Sequence, residues 1–89
     1  MITLNYKINK DLVGRTAAQL NWNLNKLSSS LYIITKEERI VNGKSLVGLL
    51  QGSIREGDLV TILLDKEEDV AIAKSSLNDI GKQFDYFKL

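Results

Sequence analysis

Val41-Asn42-Gly43-Lys44-Ser45-Leu46-Val47-Gly48-Leu49-Leu50 turns from strand chemistry to helix chemistry in one short stretch. Asn42-Gly43 breaks the extended run. Ser45 is a preferred helix N-cap, so Lys44 to Leu50 reads as a short helix opened by that serine. Gly48 inside it costs about 1 kcal/mol relative to alanine, which points to close packing or to a helix meant to be short. Upstream, Arg39-Ile40-Val41 reads as a short strand. The polar turn Glu37-Glu38 joins it to the β-branched and aromatic run Leu31-Tyr32-Ile33-Ile34-Thr35, making a hairpin.

Further toward the N-terminus, from about Arg15 to Ser28, Ala17, Leu20, Leu24 and Leu27 recur at helical steps while Asn21, Asn23 and Asn25 lie elsewhere. Before that helix, Ile2, Leu4, Tyr6 and Ile8 alternate with Thr3, Asn5 and Lys7, the period of a strand with one covered face. Downstream, the loop Gly52 to Gly57 leads into Asp58 to Leu64, which has the composition of a buried strand. In the last segment Val70, Ala73, Leu77, Ile80 and Phe84 are spaced as one helical stripe. Glu67, Glu68 and Asp69 stand in its first turn, where the helix dipole favours anions. The order is βαββαβα. It predicts an α+β fold, an open-faced sandwich whose four-stranded antiparallel sheet is covered on one face by three helices.

With 89 residues, no proline and no Gly/Ser-rich run, the chain is expected to form a single domain over residues 1–89. A chain of this length hides only about 60% of its unfolded surface, enough for one core. Apolar residues make up 44% and charged residues 26%, the profile of an ordinary soluble globule. A net charge of +1 with interleaved signs offers no basic stripe for nucleic acid. The N-terminus lacks a basic region followed by an apolar run, and no stretch is apolar enough to span a bilayer, so no membrane role and a cytoplasmic location are expected. Cysteine and histidine are both absent, which removes disulfides, the commonest zinc and copper ligands and the usual base of a hydrolytic triad. We expect no metal, no cofactor and no enzymatic activity.

The element order and three stretches resemble HPr, the phosphocarrier of the bacterial sugar phosphotransferase system. These are Asp11-Leu12-Val13-Gly14-Arg15-Thr16-Ala17-Ala18, the segment Val41 to Leu50, and Ile54-Arg55-Glu56-Gly57-Asp58-Leu59-Val60-Thr61-Ile62. The family's first motif runs Gly-Leu/Ile-His-Ala-Arg-Pro-Ala, and its histidine receives and passes on phosphate in sugar transport. By this resemblance the histidine falls on Val13, its arginine on Arg15 and its proline on Thr16. A hydrocarbon side chain has no lone pair and no titratable proton, so Val13 cannot relay a phosphoryl group. A helix N-terminus with Arg15 and Thr16 beside it still favours an anion. The family's second motif, Lys-Ser-Ile-Met-Gly in many Gram-positive bacteria, is matched by Lys44-Ser45-Leu46-Val47-Gly48. The resemblance therefore implies Ser45 as a site of regulatory phosphorylation by an HPr kinase/phosphorylase. A lost histidine with a retained serine is similar to the catabolite-repression branch of the family, in which the phosphoserine form serves a transcriptional regulator.

On a helical wheel Arg15, Ala18, Trp22 and Lys26 lie opposite the apolar stripe of the first helix. In the second helix Leu46, Val47 and Leu50 cannot all point inward with Leu49. Val13, Arg15, Trp22, Leu46, Val47 and Leu50 are accordingly expected to form one protein-binding surface. The leading expectation is a non-catalytic regulatory protein that binds partners through its first two helices and is switched at Ser45. The alternative is a repurposed binding domain with no phosphate switch. Glu37-Glu38 and Glu67-Glu68-Asp69 read as solvated charge, since neither set brings partners at ligand spacing.

Overall fold

In a computed structural model, which describes residues 1–84, the N-terminal alternation forms strand β1 (Ile2–Ile8). Residues 85–89, part of the expected domain, lie outside the described residues. Next come helix α1 (Gly14–Leu24), strands β2 (Leu31–Ile34) and β3 (Ile40–Asn42), helix α2 (Leu46–Gln51) and strand β4 (Leu59–Leu64). A 3-10 turn over Glu67–Asp69 leads into helix α3 (Val70–Leu77), and strand β5 (Gly81–Phe84) follows. The sheet is antiparallel throughout, in the order β3-β2-β4-β1-β5.

Register decides which side chains meet. Leu4 stands opposite Ile62 and Tyr6 opposite Val60, while Ile33 faces Ile62 from the other side. All five are buried and share one core with Ala17, Leu20 and Leu24 of α1, Leu49 of α2, and Ala73 and Leu77 of α3. Each large aliphatic side chain removed from water stabilises the fold by about 1.5–3 kcal/mol, so this one-sided core holds the helices against the sheet. The other sheet face is open: Tyr32, Ile40 and Leu59 are exposed there. The open-faced α+β sandwich with three helices is as the sequence predicts.

The sheet has five strands where four were expected, and the last helix is correspondingly shorter. It stops at Leu77, not Phe84. The helical stripe misleads because Ile80 is also buried, although it gets there from the turn after the helix, its N–H bonded to the Leu77 carbonyl. Its own carbonyl accepts from Asn9 N–H at 2.7 Å, which draws the chain onto β1. At Gly81, opposite Ile8, a Cβ would stand 2.6 Å from the Lys7 carbonyl oxygen, so only glycine allows this approach. Phe84 pairs with Asn5 in the strand that results.

A second correction concerns Asp69, which is not solvated charge. It is buried, and its Oδ2 accepts the Ser28 hydroxyl, the Ser29 N–H and the Ser29 hydroxyl at 3.0, 2.8 and 2.7 Å. Glu37, Glu38, Glu67 and Glu68 are exposed, as expected of solvated charge. The first helix also ends earlier than its periodicity suggests, at Leu24. Leu27 is nonetheless buried, because the chain keeps winding after Asn25.

Candidate functional site

The start of α1 is held by the loop before it. Leu12 is buried and its N–H donates to the Ile54 carbonyl at 2.9 Å. Asp11 accepts the Glu56 N–H through Oδ1 at 2.9 Å, with Arg55 3.9 Å from its Oδ2. These contacts fix Val13 at the N-cap, in an extended conformation and with no side-chain capping bond. Gly14 follows at a φ of 49°, a left-handed conformation that favours glycine and that the sequence did not disclose. The N–H groups of Gly14 and Arg15 have no acceptor among the described residues, so the positive end of the helix dipole is open. Arg15 is exposed beside it and Thr16 partly so. The arrangement can hold an anion. It cannot form a phosphoramidate, since the side chain at the N-cap is a hydrocarbon.

Ser45 is the N-cap of α2. Its Oγ accepts the Gly48 N–H at 3.0 Å. Gly48 is there for proximity: a Cβ on it would stand 3.3 Å from both Cβ and Oγ of Ser45. The loop carrying Ser45 is tied down on both sides. Lys44 Nζ donates to the Leu27 carbonyl at 2.6 Å, Asn25 Nδ2 to the Lys44 carbonyl at 3.3 Å, and Asn42 Oδ1 accepts Lys44 N–H at 2.9 Å. Asn25, read from sequence only as lying off the apolar stripe, is therefore a brace between α1 and the Ser45 loop. The side-chain amide spacing alone did not reveal it.

Helices α1 and α2 pack against each other, with the Ser45 loop beside the C-terminal end of α1 and Val13 at its N-terminal end. Trp22 is 71% exposed and Val47 61% exposed, while Val13, Leu46 and Leu50 also reach solvent and Leu49 is fully buried. Arg15, Ala18 and Lys26 are exposed on α1 as the wheel predicts. All six residues expected at a partner surface thus lie on the solvent side of α1, α2 or the loop before α1.

Elsewhere, no group of side chains suited to a metal ion occurs among the described residues. Nor is any helix among them long and apolar enough to cross a membrane. Two titratable groups have shifted pKa values. The Ser29 hydroxyl above all, with the Ser29 N–H and the Ser28 hydroxyl, holds the Asp69 carboxyl below the usual carboxylate range, although burial acts the other way. Burial pushes the Tyr6 phenol up, while its hydroxyl donates to Asn78 Oδ1 at 3.3 Å.

A family model described as the PTS HPr component phosphorylation site matches residues 3–79. Among solved structures, the histidine-containing phosphocarrier protein of Mycoplasma superposes with a TM-score of 0.77 at 25% identity, over 88% of this chain and 93% of its own. HPr-C-His from Thermoanaerobacter tengcongensis gives 0.77 at 24% identity, over 90% and 91%. The phosphocarrier protein HPr of Bacillus anthracis gives 0.80 at 18% identity, over 89% and 95%. A comparison with curated proteins finds no match.

Proposed function

The chain belongs to the HPr family of the phosphotransferase system, and on that premise we propose that it is a regulatory member that binds proteins through α1 and α2 without relaying phosphate. Proteins of this family are phosphocarriers rather than enzymes, and they work by contact with other proteins of the system. The observation that carries the reading is the absence of histidine from the whole chain, with Val13 at the N-cap of α1. Nothing at that position can take up and release a phosphoryl group reversibly. The apolar side chain instead enlarges the exposed surface that Trp22, Leu46, Val47 and Leu50 supply. Arg15 is the natural polar anchor of that surface, and with Thr16 and the open helix end it receives an acidic group of the partner. An HPr kinase/phosphorylase and a transcriptional regulator are the partners this reading favours, and the cytoplasm is where they would be met.

Ser45 is the proposed switch. A phosphate there adds about −1.5 to −2 charges at the positive end of α2, which the dipole tolerates, so modification changes the charge of the docking surface without unfolding it. Incubation with an HPr kinase and ATP is expected to add one phosphate that is lost in Ser45→Ala. Incubation with phosphoenolpyruvate and enzyme I is expected to add none. Phosphate turnover through the chain in the second experiment would overturn the reading. Failure in the first alone leaves the constitutive docking role, in which Ser45 only caps α2.

A further inference from the structure

Between α1 and the end of α3 lies a cleft of about 410 Å3, a size at which small molecules are ordinarily bound. Its floor includes Leu20 and Ile80, both buried. Arg15, Gln19 and Asn23 line it from one face of α1, being four residues apart, and Lys10 and Asp79 close it from the two flanking loops. Among the described residues none of these five side chains takes part in a hydrogen bond or an ion pair. Val13 does not line the cleft, and neither does Ser45.

The lining is uneven along α1. Arg15 lies at the N-terminal end of the helix and Asn23 near its other end. Lys10 and Asp79 enter from the crossing where Asn9 N–H meets the Ile80 carbonyl, and Asp79, unlike Lys10 and Arg15, also borders the adjoining groove that continues along α1 past Asn23. The span from Arg15 to Asn23 is roughly 12 Å at the helical rise. A simple anion would leave the carboxylate facing a like charge, and a neutral polyol would leave two cations unused. A ligand with a dianionic head and hydroxyl donors on its body satisfies both ends.

We propose that this cleft binds a small phosphate monoester with a hydroxylated body. The phosphate, carrying about −1.5 to −2 charges at pH 7, meets Lys10 and Arg15. The hydroxyls donate to Asp79 and exchange hydrogen bonds with the amides of Gln19 and Asn23, while the carbon chain lies over Leu20 and Ile80. The inference goes beyond the docking role; the two share Arg15, and neither Ser45 nor Trp22 enters it.

Glycerol 3-phosphate is a suitable probe, with inorganic phosphate and glycerol as separate arms, in amide-resolved NMR titrations of the full chain. Saturable shifts are expected at Gln19, Asn23 and Asp79, with a Kd on the order of 1 mM for glycerol 3-phosphate. Inorganic phosphate should bind about tenfold more weakly, and glycerol not measurably. Lys10→Gln should weaken both phosphates about tenfold, Asp79→Asn should erase the preference for the ester, and Glu37→Gln, in the exposed turn between β2 and β3, should change neither. Shifts that do not saturate, equal binding of ester and inorganic phosphate, or a preference unchanged in Asp79→Asn would each overturn the proposal.

Discussion

Ser29 reaches Asp69 twice, its hydroxyl at 2.7 Å and its N–H at 2.8 Å from the same carboxylate oxygen. The chain that leaves α1 is thereby fastened to the residue from which α3 starts. Both helices pack on the same sheet face, so this contact fixes their relative placement and with it the walls of the cleft between them.

Asp69→Asn should therefore destabilise the protein at neutral pH, and the loss should depend on pH in a definite direction. The folded carboxyl titrates below its ordinary value of 3.8. Its contribution is thus complete above that value and disappears as pH falls through the folded pKa. Urea unfolding of the wild type and Asp69→Asn from pH 7 to pH 2 should give curves that are separated at pH 7 and converge in acid. Parallel curves would assign the carboxylate no part in acid sensitivity.

Ser45→Ala removes the acceptor of the Gly48 N–H and should cost about 1 kcal/mol, read as a lower urea midpoint with an unchanged slope. Ser45→Asp keeps a capping oxygen and adds a charge that the dipole favours, so its stability should stay within about 0.5 kcal/mol of the wild type. The two variants then separate loss of fold from loss of switching in any partner assay.

The elements built on strong period are legible in the sequence: the alternation of β1, the Ala17-Leu20-Leu24 stripe of α1 and the Ser45 cap follow from the order of residues alone. The end of the chain is not, because Ile80 satisfies a helical stripe and a turn equally well, and the approach of Gly81 to the Lys7 carbonyl lies far apart in sequence. Asp69 escaped for a related reason. Its partners Ser28 and Ser29 are distant along the chain, and an acidic first turn is normally solvated. At the candidate site, Val13, Arg15 and Ser45 could be singled out through the resemblance to the HPr motifs, whereas Asn25 could not, since its bond to the Lys44 carbonyl exists only once α1 and the loop meet.

Gly81→Ala tests the fifth strand directly. Its methyl would collide with backbone rather than with a movable side chain, so β5 must shift at a cost of about 1–3 kcal/mol. Amide exchange should quicken on the side of β1 that faces β5, at Lys7 and Asn9, while α2 keeps its protection. Equal quickening in α2 would mean that the strand and the core open together.

Trp22 offers the most direct test of the docking surface, because it is the only tryptophan and sits 71% exposed on α1. In the free protein its emission should be red-shifted and readily quenched by a soluble collider. Trp22→Ala removes little buried area, so unfolding should change by no more than about 0.5 kcal/mol. Aromatic residues at the centre of an interface contribute far more, and the same substitution should weaken binding of a cognate partner by about 2 kcal/mol, roughly thirtyfold in Kd. Val47→Ser, on the neighbouring helix, should act in the same direction with a smaller effect, since it withdraws apolar area without an aromatic anchor. If partner binding quenched or shifted Trp22 in the wild type but survived Trp22→Ala undiminished, the residue would lie at the rim, and the centre of the contact would move to Leu46, Val47 and Leu50.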